Sequence, residues 1–301
     1  MKSYFEQQTQ LLLNVIGTAV SNPSYALKGG TAINFFHADM PRLSVDIDLA
    51  YTKINSREEF LAENELFFGK LRDEIETKHH YSVQHVTTKE LISKQLIVSD
   101  GNTRIKIEVN LVLRGTVYPT VEMTSCPKIE KNYGLKFNLN TLSFDDLFAG
   151  KFCAALDRQH PRDLFDVMLF FKKSTITESL KKAFIVYLIS GGRPISEMLN
   201  PNRIDQRLPF EREFLGMTDT IVSYDELEQA REMLILGINN VLDKKDREFL
   251  LSFKRGNPDW SLLGIDSVKH MPAVKWKLLN IQKMTPEKHQ EMLKRLENKL
   301  S

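Results

Sequence analysis

The order of two short motifs near the N-terminus constrains the fold of this chain more than any other feature. A glycine pair, Gly29 and Gly30, lies between a segment that predicts a strand, 25–27, and one that predicts the start of a helix, 31–36. After a polar loop, alternating apolar and polar residues over 44–51 predict a half-buried second strand. This order is expected to bring the glycine turn beside the second strand.

Two carboxylates on that second strand predict a metal site. Asp46 and Asp48 are one residue apart, so their side chains should project from the same face, where they can share Mg²⁺. The glycine pair lacks β-carbons, so backbone N–H groups can approach a phosphate closely there. Taken alone, a glycine pair is usually a turn, and an Asp-x-Asp is usually a solvated strand end. Together they predict a nucleotide-phosphate and metal site.

A third carboxylate is available on the clearest strand of the chain, 103–113. Ile105, Ile107, Val109 and Leu111 lie on one face of this strand, and Glu108 lies on the other, polar face. If this strand neighbours the one that carries Asp46 and Asp48, Glu108 completes a two-metal centre. The alternative is an ordinary charged outer face on which Lys106 balances Glu108.

The segment 144–166 predicts two consecutive helices. Lys151 and Arg158 are seven residues apart and share one helix face, and Asp163 and Asp166 share a face of the next helix. Asp163 could instead offset the helix dipole from the first turn. Lys151 could instead be a solvated surface lysine, although its neighbours along the helix face are unusually apolar for that.

These four segments together resemble the AbiEii/AbiGii family of nucleotidyltransferase-like toxins, which belong to bacterial type IV toxin–antitoxin systems and to the wider polymerase-β-like superfamily. The resemblance covers about the first 170 residues. It rests on the segments 28–31 and 42–49, the strand around Glu108, Lys151 with Arg158, and 162–166.

The resemblance implies that a nucleotide is moved from an NTP to an acceptor. The implied catalytic residues are Asp46, Asp48, Lys151, Asp163 and Glu108, and two Mg²⁺ ions would bind Asp46, Asp48 and Glu108. The implied nucleotide-binding residues are Gly29, Gly30, Thr31, Lys28, Arg42, Ser44 and Arg158. Many family members have Ser after the glycines, whereas this chain has Thr31, which retains the hydroxyl. Lys151 would neutralise phosphate charge, and Asp163 would orient Lys151 or Arg158.

The pattern of elements predicts an α+β protein with a nucleotidyltransferase-like mixed β-sheet core flanked by helices, followed by a mainly helical C-terminal domain. Predicted strands lie near 25–27, 44–51, 83–87, 92–98 and 103–113, and predicted helices near 4–20 and 56–78. Helical periodicity continues from about residue 143. We therefore expect a core domain at 1–142 and a helical domain at 143–301, which completes the active site through Lys151 and Asp163 and offers a surface for the acceptor.

Composition adds three expectations. The two cysteines, Cys126 and Cys153, have neither metal-like nor redox spacing, which favours a reducing compartment. No apolar run approaches membrane length, so we expect no membrane insertion. We also expect a monomer in the bacterial cytoplasm. Residues 241–301 hold 13 Lys or Arg against 8 Asp or Glu. This excess predicts an RNA-binding patch, which comprises Lys244, Lys245, Arg247, Lys254, Arg255, Lys269, Lys275, Lys277 and Trp276. The alternative is solvated lysines on helix faces and a tryptophan in the core.

The family resemblance also implies tRNA as the acceptor and a cognate antitoxin, usually a winged-helix repressor. Two other functions stay open at this point. The chain could be a nucleotidyltransferase that acts on small molecules, such as an antibiotic-modifying enzyme, because the same motifs serve that chemistry. It could also be a non-catalytic regulator that binds nucleotide or RNA.

Overall fold

The computed structural model describes residues 3–87 and 92–301. These residues form two compact units. Unit 1 comprises the chain up to Ser143 together with Leu215–Ile221, and unit 2 comprises Phe144–Phe214 and Val222–Ser301.

Unit 1 contains a mixed sheet, whose strands are β1 (Tyr25–Lys28), β2 (Asp46–Tyr51), β3 (Ser82–Thr87), β4 (Ser93–Ser99), β5 (Arg104–Arg114), β6 (Val121–Thr124) and β7 (Asn138–Thr141). Its helices are α1 (Tyr4–Ala19), α2 (Gly29–Ala32), which continues as a π-helix over Ile33–His37, α3 (Arg57–Glu74), which continues as a π-helix over Ile75–His79, and α4 (Pro127–Tyr133).

The strands of unit 1 are ordered β3-β4-β5-β2-β1-β7-β6 in one sheet. The pairs β2–β5 and β1–β7 are parallel, and the other pairs are antiparallel. Helices α1 and α3 contact the sheet and each other. Each begins with a capping box, formed by Ser3 with Glu6 in α1 and by Ser56 with Glu59 in α3. The order of strands places β2 at the centre, between β1 and β5.

The structure confirms the predicted α+β class and the five predicted strands. Strands β6 and β7 and helix α4 are absent from the sequence prediction. Each of the two strands is four residues long, so the alternation in β6 is too brief to stand out, and β7 has a single apolar residue. The strand expected from residue 44 begins at Asp46.

Unit 2 is entirely helical among its described residues. Its helices are α5 (Phe144–Arg158), α6 (Pro161–Lys173), α7 (Glu178–Ser190), α8 (Ile195–Leu199), α9 (Arg207–Pro209) with a π-helix over Phe210–Phe214, α10 (Tyr224–Val241), α11 (Lys244–Lys254), α12 (Trp260–Leu263), a 3₁₀-helix over Asp266–His270, α13 (Pro272–Gln282) and α14 (Pro286–Leu300). Helix α5 packs against α6 and α7, and α10 packs against α6. None of the described helices of either unit has the length and apolar character needed to span a membrane.

Candidate active site

The glycine turn between β1 and α2 is closely flanked by two charged side chains. Gly29 has φ of +72°, a conformation that glycine adopts readily and other residues rarely adopt. A β-carbon on Gly29 would overlap the Oδ2 atom of Asp48, and one on Gly30 would lie 2.6 Å from Nη2 of Arg42. The turn therefore requires glycine at both positions for its neighbours to remain in place.

The side chains of Thr31 and Ser44 join the start of α2 to the start of β2. Both are buried. The Thr31 hydroxyl lies 2.5 Å from the carbonyl oxygen of Asp46, to which it donates, and 2.8 Å from the Ser44 hydroxyl. The predicted hydroxyl after the glycines is thus present, but it bonds within the protein. We therefore expect Thr31 to contact a phosphate through its backbone N–H.

Arg42 lies beneath the turn rather than on the surface. It is 3% exposed, and its Nη1 donates to the carbonyl oxygen of Leu43 at 2.9 Å. Lys28, at the other end of the turn, is half-buried, with its Nζ 4.0 Å from Oδ1 of Asp48. The two cations border the turn that the sequence identifies as a phosphate site.

The three predicted metal ligands lie on neighbouring strands. Asp46 and Asp48 alternate with buried apolar residues on β2, and both are half-buried. In the parallel ladder of β2 and β5, Glu108 is directly opposite Asp48. The pKa of Glu108 is raised by burial and by the nearby charges of Asp48 and Asp46, and Lys106 offsets this only in part. Glu108 is half-buried and lies opposite Asp48, which favours the predicted ligand role over an outer face balanced by Lys106.

Carboxylates in this arrangement suit a cation that arrives with a nucleotide. Within residues 3–87 and 92–301, no three His, Cys, Asp or Glu side chains form a ready-made metal cage. Mg²⁺ in NTP-dependent enzymes is commonly held by one or two carboxylates and the substrate phosphates, with no need for such a cage. Burial and, to a smaller extent, the charges of Asp48 and Asp46 disfavour the ionised form of Glu108, and a bound divalent cation would favour that form. The donor set on β2 and β5 therefore fits a divalent metal.

A second charged group lies within unit 2, where α5 and α6 meet. The Nζ atom of Lys151 is 2.7 Å from Oδ1 of Asp163 and 2.9 Å from Oδ2 of Asp166, and these three side chains are almost fully buried. Arg158 donates to Asp163 through Nε at 2.5 Å and through Nη2 at 3.1 Å. Lys151 is therefore not a solvated surface lysine.

The charges around Asp163 determine its protonation. Burial acts to raise the pKa of the Asp163 carboxyl, but the cations of Lys151 and Arg158 outweigh burial and hold that pKa well below its ordinary range. Asp163 is also in the first turn of α6, so it offsets the helix dipole as well as pairing with cations.

Two further residues, one within this group and one beside it in the chain, are missing from the sequence-predicted site. Asp166 shares Lys151 with Asp163, and its spacing of three from Asp163 was the available signal. Gln159 is buried at φ of +52°, an uncommon backbone conformation for a residue other than glycine. Its side chain bonds the backbone of Asn202 and Ile204, which fixes the link between α5 and α6. No local pattern identifies Gln159.

Of the nine residues in the basic patch predicted for residues 241–301, six are exposed and three are partly or fully buried. Arg247 donates to backbone carbonyl oxygens, Lys254 is buried against Met284 and Met292, and Lys277 donates to the carbonyl oxygens of residues 191–193. Two more of the predicted cations pair with carboxylates, as Arg255 does with Glu297 and Lys269 with Asp266. Arg255 and Lys269 are nonetheless exposed, as are Lys244, Lys245, Lys275 and Trp276, and Lys244 lies 3.9 Å from Glu248.

Comparison with known proteins agrees with the motifs. A family model described as the nucleotidyl transferase AbiEii toxin of type IV toxin–antitoxin systems matches residues 10–279. Among solved structures, the chain is similar to MenT4, a nucleotidyltransferase toxin from Mycobacterium tuberculosis H37Rv, with a TM-score of 0.60 and 17% sequence identity over 92% of each chain. No curated protein gives a significant match. The resemblance inferred from the four segments and the nucleotidyltransferase-like fold are both confirmed.

Proposed function

Because the chain belongs to the AbiEii family of type IV toxin–antitoxin nucleotidyltransferases, we propose that it transfers a nucleotide from an NTP to tRNA in the presence of Mg²⁺. The observation that carries this proposal is the set of three carboxylates beside the glycine turn, with Asp46 and Asp48 on β2 and Glu108 opposite Asp48 on β5. Membership of the family implies a cognate antitoxin, which we propose is a winged-helix repressor. We place the monomeric enzyme in the cytoplasm, where tRNA and NTPs are found.

In the proposed reaction, an acceptor hydroxyl oxygen forms a bond to the α-phosphorus, the bond to the β-phosphate oxygen breaks, and pyrophosphate leaves. Metal ions bound by Asp46 and Asp48 would stabilise the entering and departing oxygens. Glu108 accepts the proton of the attacking hydroxyl, because a carboxylate with a raised pKa is a stronger base. Backbone N–H groups of Gly29, Gly30 and Thr31 bind the triphosphate.

We assign the cations of the α5–α6 group to the neutralisation of phosphate charge. Asp163 orients both Lys151 and Arg158 through the bonds described above. Lys151 already faces two buried carboxylates, whereas the side chain of Arg158 is 63% exposed. Arg158 is therefore the more accessible cation, and its planar guanidinium suits bidentate contact with a phosphate.

We assign acceptor binding to the helical unit, because exposed cations and an exposed aromatic ring occur together there. Lys275 and Trp276 are adjacent on α13, and Trp276 is 58% exposed. An aromatic ring beside lysines is a stacking platform for unpaired bases. This feature favours RNA over a small-molecule acceptor.

The test is label transfer by the purified protein. Wild type is incubated with Mg²⁺, total bacterial tRNA and each α-³²P-labelled NTP in turn, beside an Asp46→Ala/Asp48→Ala double variant. Glu122→Ala, which removes an exposed carboxylate on β6, is the matched control. We expect label in a tRNA-sized band from wild type and the control, and none from the double variant, with all three proteins folded.

The other outcomes identify the competing functions. Label that appears only on small acceptors would assign the chain to small-molecule nucleotidyl transfer. If no NTP gives label, and growth arrest on expression persists in the double variant, the protein acts as a binding regulator and the proposed reaction is wrong.

A further inference from the structure

Helices α5 and α6 are joined by a link of only two residues, Gln159 and His160. Arg158 is the last residue of α5, and Asp163 lies in the first turn of α6. The hydrogen bonds from the Arg158 guanidinium to the Asp163 carboxylate therefore span this link. Since the two partners belong to different helices, the geometry of the link determines whether they meet.

Gln159 is held in the link by its surroundings. Its φ of +52° is a value that residues other than glycine rarely adopt, and its side chain is 0% exposed. The amide Nε2 donates to the carbonyl oxygen of Asn202 at 2.7 Å, and Oε1 accepts from the N–H of Ile204 at 3.0 Å and from Nη1 of Arg231 at 3.2 Å. An uncommon backbone conformation persists where the surrounding structure enforces it. These three bonds enforce the conformation of Gln159.

The same surroundings also hold the end of α5. Nε2 of Gln206 donates to the carbonyl oxygen of Arg158 at 3.0 Å, so the segment 202–206 contacts the backbone on both sides of the peptide bond between Arg158 and Gln159. Arg231 lies on α10 and is 5% exposed. A network of hydrogen bonds therefore runs from α10 through the Gln159 amide to the link.

We propose that Gln159 is a positioning residue for nucleotide transfer, which holds the end of α5 so that Asp163 can orient the exposed Arg158 guanidinium for contact with a phosphate. This inference rests on the proposed function, in which Arg158 neutralises phosphate charge. A long exposed side chain loses conformational freedom when it binds, and orientation before binding lowers that cost. Gln159 thus acts through Arg158 and does not itself touch the nucleotide.

The first variant is Gln159→Met, which approximately keeps the size of the side chain and removes the amide. The matched control is Asn239→Met, because the Asn239 amide donates to the carbonyl oxygens of Leu199 and Ile235 elsewhere in unit 2. Thermal melting checks that both variants fold. If Gln159→Met does not fold, Gln159→Gly replaces it, since glycine adopts this backbone conformation readily.

A double-mutant cycle with Arg158→Ala shows whether Gln159 acts through Arg158. Label transfer measures kcat/KM for the NTP in wild type, in each single variant and in the double variant. We expect Gln159→Met to lower kcat/KM about tenfold when Arg158 is present and less than about twofold in the Arg158→Ala background. Asn239→Met should transfer label as wild type does. Equal losses in the two backgrounds would overturn the inference, because a merely structural role does not depend on Arg158.

A second measurement needs no nucleotide. Phenylglyoxal modifies guanidinium groups, and peptide mapping gives the rate at Arg158 relative to Arg72, which is exposed and pairs with Asp73 in α3. In Gln159→Met, Arg158 should react about twofold to tenfold faster than in wild type, as expected when a hydrogen-bonded contact is weakened. An unchanged rate would overturn the inference. If wild type transfers no label, the proposed function is wrong, while a faster reaction would still show that Gln159 holds Arg158 in place.

Discussion

At Gly29 the absence of a side chain allows a charged group to lie close to the backbone. A β-carbon there would overlap the carboxylate of Asp48 in a backbone conformation that already disfavours side chains. The position thus couples the shape of the turn to the position of a proposed metal ligand.

We predict that Gly29→Ala lowers the free energy of unfolding by about 1–2 kcal/mol from backbone strain. It should also lower nucleotide transfer at least about a hundredfold, because Asp48 must move. Chemical denaturation and label transfer measure the two effects. The control is Gly69→Ala, because Gly69 lies within α3 with open space around it. There alanine should add about 0.5–1 kcal/mol of stability and leave transfer unchanged. Equal effects at the two glycines would contradict the prediction.

At Glu108 the raised pKa has a consequence for stability. A carboxyl whose pKa is higher in the folded state binds more protons there than in the unfolded state, so its ionisation destabilises the fold as pH rises through that window. Glu108→Gln removes this cost. We predict that the metal-free variant melts about 1–3 °C above wild type at pH 7. The difference should disappear below the ordinary pKa of 4.5, where the residue is protonated in both states.

The same variant tests whether Glu108 binds a metal ion or is only an unfavourable charge in this site. Added Mg²⁺ or Mn²⁺ should raise the melting temperature of wild type more than that of Glu108→Gln, and transfer should be lost in the variant. Glu122→Gln on β6 is the control, with no change in either measurement. If metal-free wild type is more stable than Glu108→Gln at pH 7, the ionised Glu108 carboxylate does not destabilise the fold.

Among the elements, α5 and α6 are joined by a buried ionic group. One cation, Lys151, lies between two carboxylates of α6, and a second cation, Arg158, reaches Asp163 from a mostly exposed position. Buried charges are costly when a partner is removed, and exposed pairs contribute little. The two cations should therefore differ in their contribution to stability even though both contact Asp163.

We predict that Lys151→Met lowers the free energy of unfolding by about 3–5 kcal/mol. Arg158→Ala should lower it by less than about 1 kcal/mol. Urea denaturation of both variants measures the difference. Adding Asp163→Asn and Asp166→Asn to Lys151→Met should recover much of the loss, because no buried charge then lacks a partner. Equal losses for Lys151→Met and Arg158→Ala would mean that burial does not decide the strength of these pairs.

The elements that could be predicted from sequence are those with a strong period. Strands β2 and β5 alternate apolar and polar residues, and β1 is a short apolar run before the glycine pair, whereas the four-residue β6 and β7 have no such signal beside them. Helix α4 is different, because Pro127 at its start and Gly134 at its end are the usual signals of helix boundaries. Pro127 and Gly134 are therefore sufficient to predict this helix from sequence.

The candidate site was predictable only as far as its residues share an element. The spacing of Asp46 and Asp48 fixes their common face. The contact with Glu108 depends on β5 lying beside β2, which local sequence does not determine. Local sequence also does not show which charged side chains are buried. Lys254, Lys275 and Lys277 lie in one basic region, yet Lys254 and Lys277 contact groups of the protein and Lys275 is exposed.

For the whole molecule, the distribution of exposed charge determines how it meets a nucleic acid. Many cations of the C-terminal region bond to the protein itself, so formal charge overstates the surface available to RNA. Trp276 and Lys275 on α13 are the part of the predicted patch that combines an exposed ring with an exposed cation.

We predict that Trp276→Ala weakens binding of tRNA about tenfold, because stacking of one base contributes about 1–3 kcal/mol. Lys275→Ala should reduce the slope of log affinity against log salt by about one. Fluorescence anisotropy over a salt series measures both. Leu236→Ala, an exposed apolar residue of α10, is the control and should bind as wild type does. If Trp276→Ala binds like the control, RNA does not bind this face.

The segment Leu215–Ile221 belongs to unit 1 although the chain on either side of it belongs to unit 2. A ribosome makes the rest of unit 1 well before this segment, so the hydrogen bond from the N–H of Leu43 to the carbonyl oxygen of Met217 cannot form until residue 217 has left the exit tunnel. A nascent chain stalled at any earlier point carries the carboxylates and the glycine turn without that bond. Fragments that end at Ser143 would also lack segment Leu215–Ile221. To obtain unit 1 alone, deletion of other residues within unit 2 should therefore work better than truncation.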